Sequence, residues 1–273
     1  MIRHTTDSEW ILIPQNAHGE SCGVMAAKLS ADTVALPSKR GILGITLHDC
    51  GWSIHDDRPT LDATGQPTHV FQTPAAITTQ LWTTSAIRAS QRDPYAGLLA
   101  SVHGLHLVAH ALQTPRDRQT VFELNKFQHA QVEFQEGIRH QLGMRSDLPL
   151  QHGLAKPGAD VTEDELIRDY RTLRALDRIS LSALCSEMPF ESVNFAAPGV
   201  ITPGTVSRPV AIRLQRLEPF ALSLTPWPFL LPRIDISIPA KRIPRQQFSD
   251  QSGFSSIYRS ASELRLEFHL SPA

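Results

Sequence analysis

The chain has 273 residues, a formal net charge of −1 and only 19% charged side chains, with no basic block, which excludes the phosphate backbone of a nucleic acid as its main partner. No apolar run approaches the roughly 20 residues of a membrane-spanning helix, and the opening residues lack a secretion signal's apolar core, so a soluble cytoplasmic protein is expected. Three widely spaced cysteines (Cys22, Cys50, Cys185) build neither a disulfide framework nor a Cys-X-X-Cys zinc site, whereas 12 histidines, several inside apolar segments, stand out.

Trp10-Ile11-Leu12-Ile13-Pro14 reads as a short strand or extended lead-in. From Gln15 to about Leu29 the spacing is helical, with His18, Cys22, Met25 and Leu29 at i, i+4, i+7 and i+11, so His18 lies on the buried stripe. It is either a core histidine bonded to the backbone or a metal ligand. The run from Gly41 to Trp52 reads as an apolar helix ending in the pair His48-Asp49. Helical spacing puts Ile45, His48, Asp49 and Trp52 on one face, and an ionised carboxylate turned inward there needs a partner or a cation. The turn-rich segment from Gly51 to Thr73 carries Trp52, His55, Asp56 and Asp57, and is either a pocket wall or a surface loop.

Thr73-Pro74 and Asp93-Pro94 are helix starts, opening segments that run to about Gln91 and Gln113. On the second, Leu99, Val102, His103, His106 and His110 share a face that begins apolar and grows wetter. Arg118 to about Leu142 is a further helix with Leu124, Phe127, Gln131, Phe134 and Ile138 inward; His129, His140 and His152 carry no signal. A loop from Gly143 to Ala159 leads to Thr162-Glu163-Asp164-Glu165, a capping box opening what reads as the last helix. There Leu166, Tyr170, Leu173, Asp177, Leu181 and Leu184 form an apolar stripe with Asp177 in its middle, a carboxylate that requires compensation.

Beyond Met188 the pattern changes: eleven of the 20 prolines lie from Pro189 onward, and alternation replaces helical spacing at Val210, Ile212, Leu214, at Ile234, Ile236, Ile238 and at Leu264, Leu266, Phe268, Leu270. Between them Thr225-Pro226-Trp227-Pro228-Phe229 is a rigid aromatic turn. The expectation is an α+β protein: a mainly helical metal-binding domain over 1–188 and, over 189–273, an antiparallel β appendage that packs on the helices or serves as a homo-oligomer interface.

In order and helical placement, His18, the pair His48-Asp49, the histidine-bearing helix and Asp177 resemble the HD-domain metalloprotein superfamily, over about Gln15 to Met188. The resemblance implies that His18, His48, Asp49 and Asp177 hold a divalent ion, with His103 and His106 added where two ions bind, and that Asp49 and His103 are catalytic. Neutral imidazoles and carboxylates suit Fe, Mn, Zn or Mg. More narrowly, a Met-Ile-Arg-like start, a His-Asp-X-Gly-Trp segment and a Pro-Trp-Pro-Phe tract are similar to a family of uncharacterised bacterial proteins. The implied function is metal-dependent hydrolysis of a phosphoester in a small-molecule substrate. Many HD phosphohydrolases follow the pair with Gly-Lys, where this chain has Asp49-Cys50-Gly51-Trp52, and it has no phosphate-cradling glycine-rich loop. The alternatives are a di-iron or mixed-valent oxygenase and a non-catalytic scaffold with a structural polar cluster.

Overall fold

The computed structural model describes residues 1–144, 162–186, 189–198 and 209–273. The boundary expected near Met188, His152 and most of the Gly143–Ala159 loop lie outside the described residues. Two strands at the start of the chain, β1 (Ile2–Thr5) and β2 (Glu9–Ile13), form a hairpin. They are joined in one sheet by β3 (Ser192–Ala196), β4 (Pro209–Glu218), β5 (Ala221–Thr225), β6 (Ile234–Pro244) and β7 (Glu263–Pro272). The order is β1-β2-β6-β7-β5-β4-β3, and the sheet curls into a half-barrel.

This corrects the expected fold class. The sheet is no C-terminal appendage on a mainly helical core, because Glu9–Leu12 of β2 pairs with Lys241–Pro244 of β6 and ties the two ends of the chain together. Nor is it purely antiparallel, since β5 runs parallel to β7. The alternation on β6 is as expected, with Ile234, Ile236 and Ile238 buried and Asp235 and Ser237 exposed. On β2 alternation is masked, because Trp10, Ile11, Leu12 and Ile13 are all buried. Ile11 and Ile13 enter the main core, whereas Trp10 and Leu12 meet Phe248, Phe254 and Tyr258. Phe254 and Tyr258 belong to a helix inserted between β6 and β7 (α8, Gln251–Ser260, capped by Asp250), so the helix opened by Thr162 is not the last.

The remaining helices are α1 (Gln15–Ala26), α2 (Lys39–Leu47), α3 (Ser53–Asp56), α4 (Ala75–Arg92), α5 (Pro94–Ala111), α6 (Arg118–Gln141) and α7 (Glu163–Leu184). Asp93 caps α5 by accepting from the Tyr95 amide, and Thr162 with Glu165 forms the capping box of α7. α1 packs on β6 and α7 on β3, so the half-barrel supports two helices that cross in front of it. No helix among the described residues is long and apolar enough to cross a membrane.

Three helices meet at Asp169 of α7, which is fully buried. Its Oδ1 accepts from the Ser38 amide (3.1 Å) and Arg168 Nε (3.0 Å), and its Oδ2 from the Ser38 hydroxyl (2.6 Å) and the Tyr95 phenol (2.8 Å). Ser38 is in turn the N-cap of α2, its oxygen accepting from the Gly41 amide. One carboxylate therefore fixes where α2 begins relative to α5 and α7. Asp169→Asn keeps the shape but turns an acceptor into a donor facing two hydroxyls and leaves Arg168 under-compensated. It should destabilise the fold by about 3 kcal/mol, read as a lower urea midpoint at unchanged slope.

Candidate metal centre

The run from Gly41 to Trp52 is not one helix. α2 stops at Leu47, His48 is its C-cap, and Asp49 (φ −116°, ψ 18°) leads into a 3-10 turn over Cys50–Trp52. The break is forced by α4: the Gly51 amide donates to Ser85 Oγ (2.9 Å), and a Cβ at Gly51 would lie 2.2 Å from the Leu81 carbonyl oxygen. α1 approaches α2 as closely, since a Cβ at Gly23 would fall 2.0 Å from Thr46 Oγ1. These contacts present the end of α2 to the α1–α7 crossing.

Five side chains converge there from four places in the chain. His18 Nε2 lies 3.0 Å from Asp177 Oδ1, and His48 Nε2 lies 3.7 Å from the same oxygen and 3.5 Å from Asp49 Oδ2. The His48 ring stands edge-on to His18 (5.6 Å between centroids) and to His103 (5.0 Å). Two sets, His18-His48-Asp49 and His48-His103-Asp177, each bring three ligand atoms within 4.8 Å of one another, and all five residues are buried. His106 belongs to neither set: it is half-buried and its ring faces Tyr170 at 5.7 Å. His110 is exposed.

The hydrogen bonds around the imidazoles decide which nitrogen is bare. His48 Nδ1 is 2.7 Å from the Ile45 carbonyl, which only accepts, so Nδ1 carries a proton and neutral His48 presents an Nε2 lone pair. For His18 the direction follows from a chain of hydroxyls. Ser21 Oγ donates to the His18 carbonyl (2.6 Å) and has no second proton, so its contact with Ser180 Oγ (3.1 Å) requires Ser180 to donate. Ser180 must then accept from His18 Nδ1 at 2.8 Å, which leaves Nε2 bare in the neutral ring. Both histidines thus aim Nε2 at carboxylates. Asp49 is oriented by Gln15, whose Nε2 donates to Oδ2 at 2.7 Å, while Asp49 Oδ1, His48 Nε2 and His103 Nδ1 are buried without a hydrogen-bond partner.

A lone pair facing a carboxylate is repulsive unless a cation intervenes. Burial alone would lower the pKa of His48, but the neighbouring Asp49 and Asp177 carboxylates override it and raise the group to about 9. Burial would likewise raise Asp177, yet the His18 and His48 rings beside it hold it far below the ordinary carboxylate range. Burial lowers His103 to about 3, so it stays neutral. No Lys or Arg side chain among the described residues pairs with Asp49 or Asp177. Two buried carboxylates and three imidazoles form a donor set whose charge matches a divalent ion.

Asp49, His103 and Asp177 open on a cleft of about 510 Å³ walled by Trp52, Phe71, Trp82, Leu107, Leu124 and Leu181. Trp52 and residues 70–73 are the part of the turn-rich segment that reaches it. His55 and Asp56 do not line this cleft; Asp56 Oδ2 accepts from the Asn16 amide and caps the start of α1. Sequence reasoning missed Gln15, Ser21 and Ser180, which orient the ligand set. The usable signal was their spacing, Ser21 and Ser180 each lying three residues after His18 and Asp177.

No curated protein and no solved structure matches the chain. The resemblance to HD-domain proteins is overturned by the architecture, since α1 and α7 cross on a curled seven-stranded mixed sheet rather than within a helical domain. The family described as Protein of unknown function (DUF3891) matches residues 1–245, from β1 to the end of β6, and the chain belongs to that family.

Proposed function

We propose that the protein is a divalent-metal-dependent hydrolase of a phosphoester. The observation that carries this reading is the pair of imidazoles, His18 and His48, whose Nδ1 atoms are bonded to the protein and whose Nε2 atoms face Asp177 and Asp49. Ligating histidines are commonly held this way, the distal nitrogen oriented by a partner outside the site. A bound ion would lower the pKa of a water and polarise a phosphoryl oxygen. His18, His48 and Asp177 would hold it, and His103 would complete the set from the cleft side. Asp49, fixed through Oδ2 by Gln15, has Oδ1 left to take a proton from the attacking water as the phosphorus–oxygen bond to the leaving alcohol breaks. The aromatic walls of the cleft suit a leaving group with an apolar body.

A structural polar cluster is the competing reading, favoured by the same pKa shift of His48, because an imidazolium between Asp49 and Asp177 would neutralise the site without metal. Asp177→Asn separates the two. On the metal reading, protein purified without chelators carries metal, the mutant loses it, and turnover of p-nitrophenyl phosphate falls at least about 100-fold while the apo-protein stays as stable as before. A wild type indifferent to chelator and a mutant that melts far earlier would retire the metal.

The pH dependence of stability gives an independent check. His48 has a folded-state pKa above its unfolded value of 6.5, so its contribution is complete below pH 6.5 and is lost as pH rises through about 9. The loss amounts to about 3 kcal/mol. Metal-free protein should therefore weaken between pH 6.5 and 9 in urea titrations. Metal-loaded protein should not, because a ligating His48 is already unprotonated at Nε2; parallel curves for the two forms would count against ligation.

A further inference from the structure

Beside the metal candidate, α7 carries two arginines that the reading above does not use. Arg174 and Arg178 lie one turn apart, so like charges share a helix face, an unfavourable arrangement when nothing lies between them. Both are half-buried, and among the described residues neither makes an ion pair or a hydrogen bond. Arg168 on the same helix shows the usual alternative, bonded to Asp169 at 3.0 Å. Each unpaired guanidinium is instead braced on a ring: Arg174 over Tyr170 at 6.0 Å and Arg178 over Phe190 at 4.7 Å. Among the described residues the buried Tyr170 hydroxyl has no hydrogen-bond partner, and Arg174, Arg178 and Asp177 are all close enough for their charges to act on it. His106, three residues after His103, closes the group from α5, its ring against Tyr170 and within the fields of Arg174, Arg178 and His110.

We infer that Arg174, Arg178 and the Tyr170 hydroxyl form an oxyanion-binding site that takes a phosphate group. Two guanidinium forks supply donors only and the phenol can add another, so the ligand that satisfies them is rich in acceptors and negatively charged. The ring contacts brace the guanidinium groups before the anion arrives, which lowers the ordering cost of binding. Asp177 of the five-residue cluster is the neighbour of Arg178 on α7, and its charge acts on the Tyr170 hydroxyl, so the two sites adjoin, although the arginines do not line the cleft on which Asp177 opens. The anion site itself stands on the arginines, whereas its part in turnover rests on the metal reading.

Titration of inorganic phosphate into metal-stripped protein, followed by calorimetry, tests the site. Wild type should bind, more weakly as salt rises, and Arg174→Gln and Arg178→Gln should each weaken binding at least about tenfold. Arg174→Lys and Arg178→Lys, which keep the charge and lose the fork, should fall between, and circular dichroism reports whether each variant is folded. Tyr170→Phe should weaken binding by a smaller factor. Asp177→Asn should keep phosphate binding while losing metal, whereas a wild type that binds phosphate but no metal defeats the hydrolase reading and leaves the anion site standing. Absence of phosphate binding to wild type in stripped and manganese-loaded form alike, or equal binding by folded Gln variants, overturns the site.

Discussion

Two carboxylates buried on one helix are compensated in opposite ways, and the rest of the structure depends on that difference. Asp169 receives four hydrogen bonds from Ser38, Tyr95 and Arg168, and both of its oxygens are satisfied by the protein. Asp177, two turns later on α7, is paired among the described residues with His18 and His48 alone, imidazoles whose Nδ1 atoms are engaged elsewhere. The first shows how this fold neutralises an acid that it needs for architecture, with an arginine and hydroxyls pointed at each lone pair. Had Asp177 the same purpose, the arginine beside it, Arg178, would have been turned to it. It lies over Phe190 instead. The helix therefore holds one acid for position and keeps a second one short of partners.

What the sequence made legible follows from helical periodicity. His18 and Asp177 stand on apolar stripes of α1 and α7, and their burial could be read from neighbours at i±3, i±4 and i±7. The fading of the α5 face was equally readable, with His103 buried, His106 half-buried and His110 exposed. Asp169 was not readable, because it lies next to Arg168 in a stretch of charged residues that looks solvated. Its partners, Ser38 and Tyr95, come from distant segments. The sheet failed for a related reason. β2 is apolar on both faces, since α8 covers one and the main core the other, so its period of two is erased. Its partner on β6 lies more than two hundred residues away, beyond any local pattern. α8 itself, Gln-Ser-Gly-Phe-Ser-Ser-Ile-Tyr-Arg-Ser, has few strong helix formers and exists by packing Phe254 and Tyr258 under Trp10.

The same reasoning explains how a resemblance in ligand order led to the wrong architecture. An order of histidine, His-Asp pair, histidine helix and distant aspartate describes which residues reach one point, and says little about what carries them there. Here the carrier is a half-barrel in which one edge strand, β1, and its neighbour β2 come from the beginning of the chain. Its helices are set by close glycine contacts at Gly23 and Gly51 and by the Asp169 junction.

The cluster has a closed side and an open one. On the closed side, Ser180 and the Ile45 carbonyl take up the Nδ1 protons of His18 and His48, Ser21 holds Ser180, and Gln15 holds Asp49, so these side chains cannot turn without breaking buried hydrogen bonds. Toward α5 and the 70–75 segment, His103, Asp49 Oδ1 and Asp177 meet the cleft with fewer protein partners. Rigidity on one side and unsatisfied acceptors on the other is the arrangement that precise ligand placement needs. The arginine pair adds positive charge to α7 on either side of Asp177, outside the lining of the cleft. Along α7, anion-seeking and cation-seeking groups therefore stand on adjacent positions, Arg178 beside Asp177, without pairing. A helix that wanted only stability would have joined them, and their separation leaves each free for a counter-ion of its own.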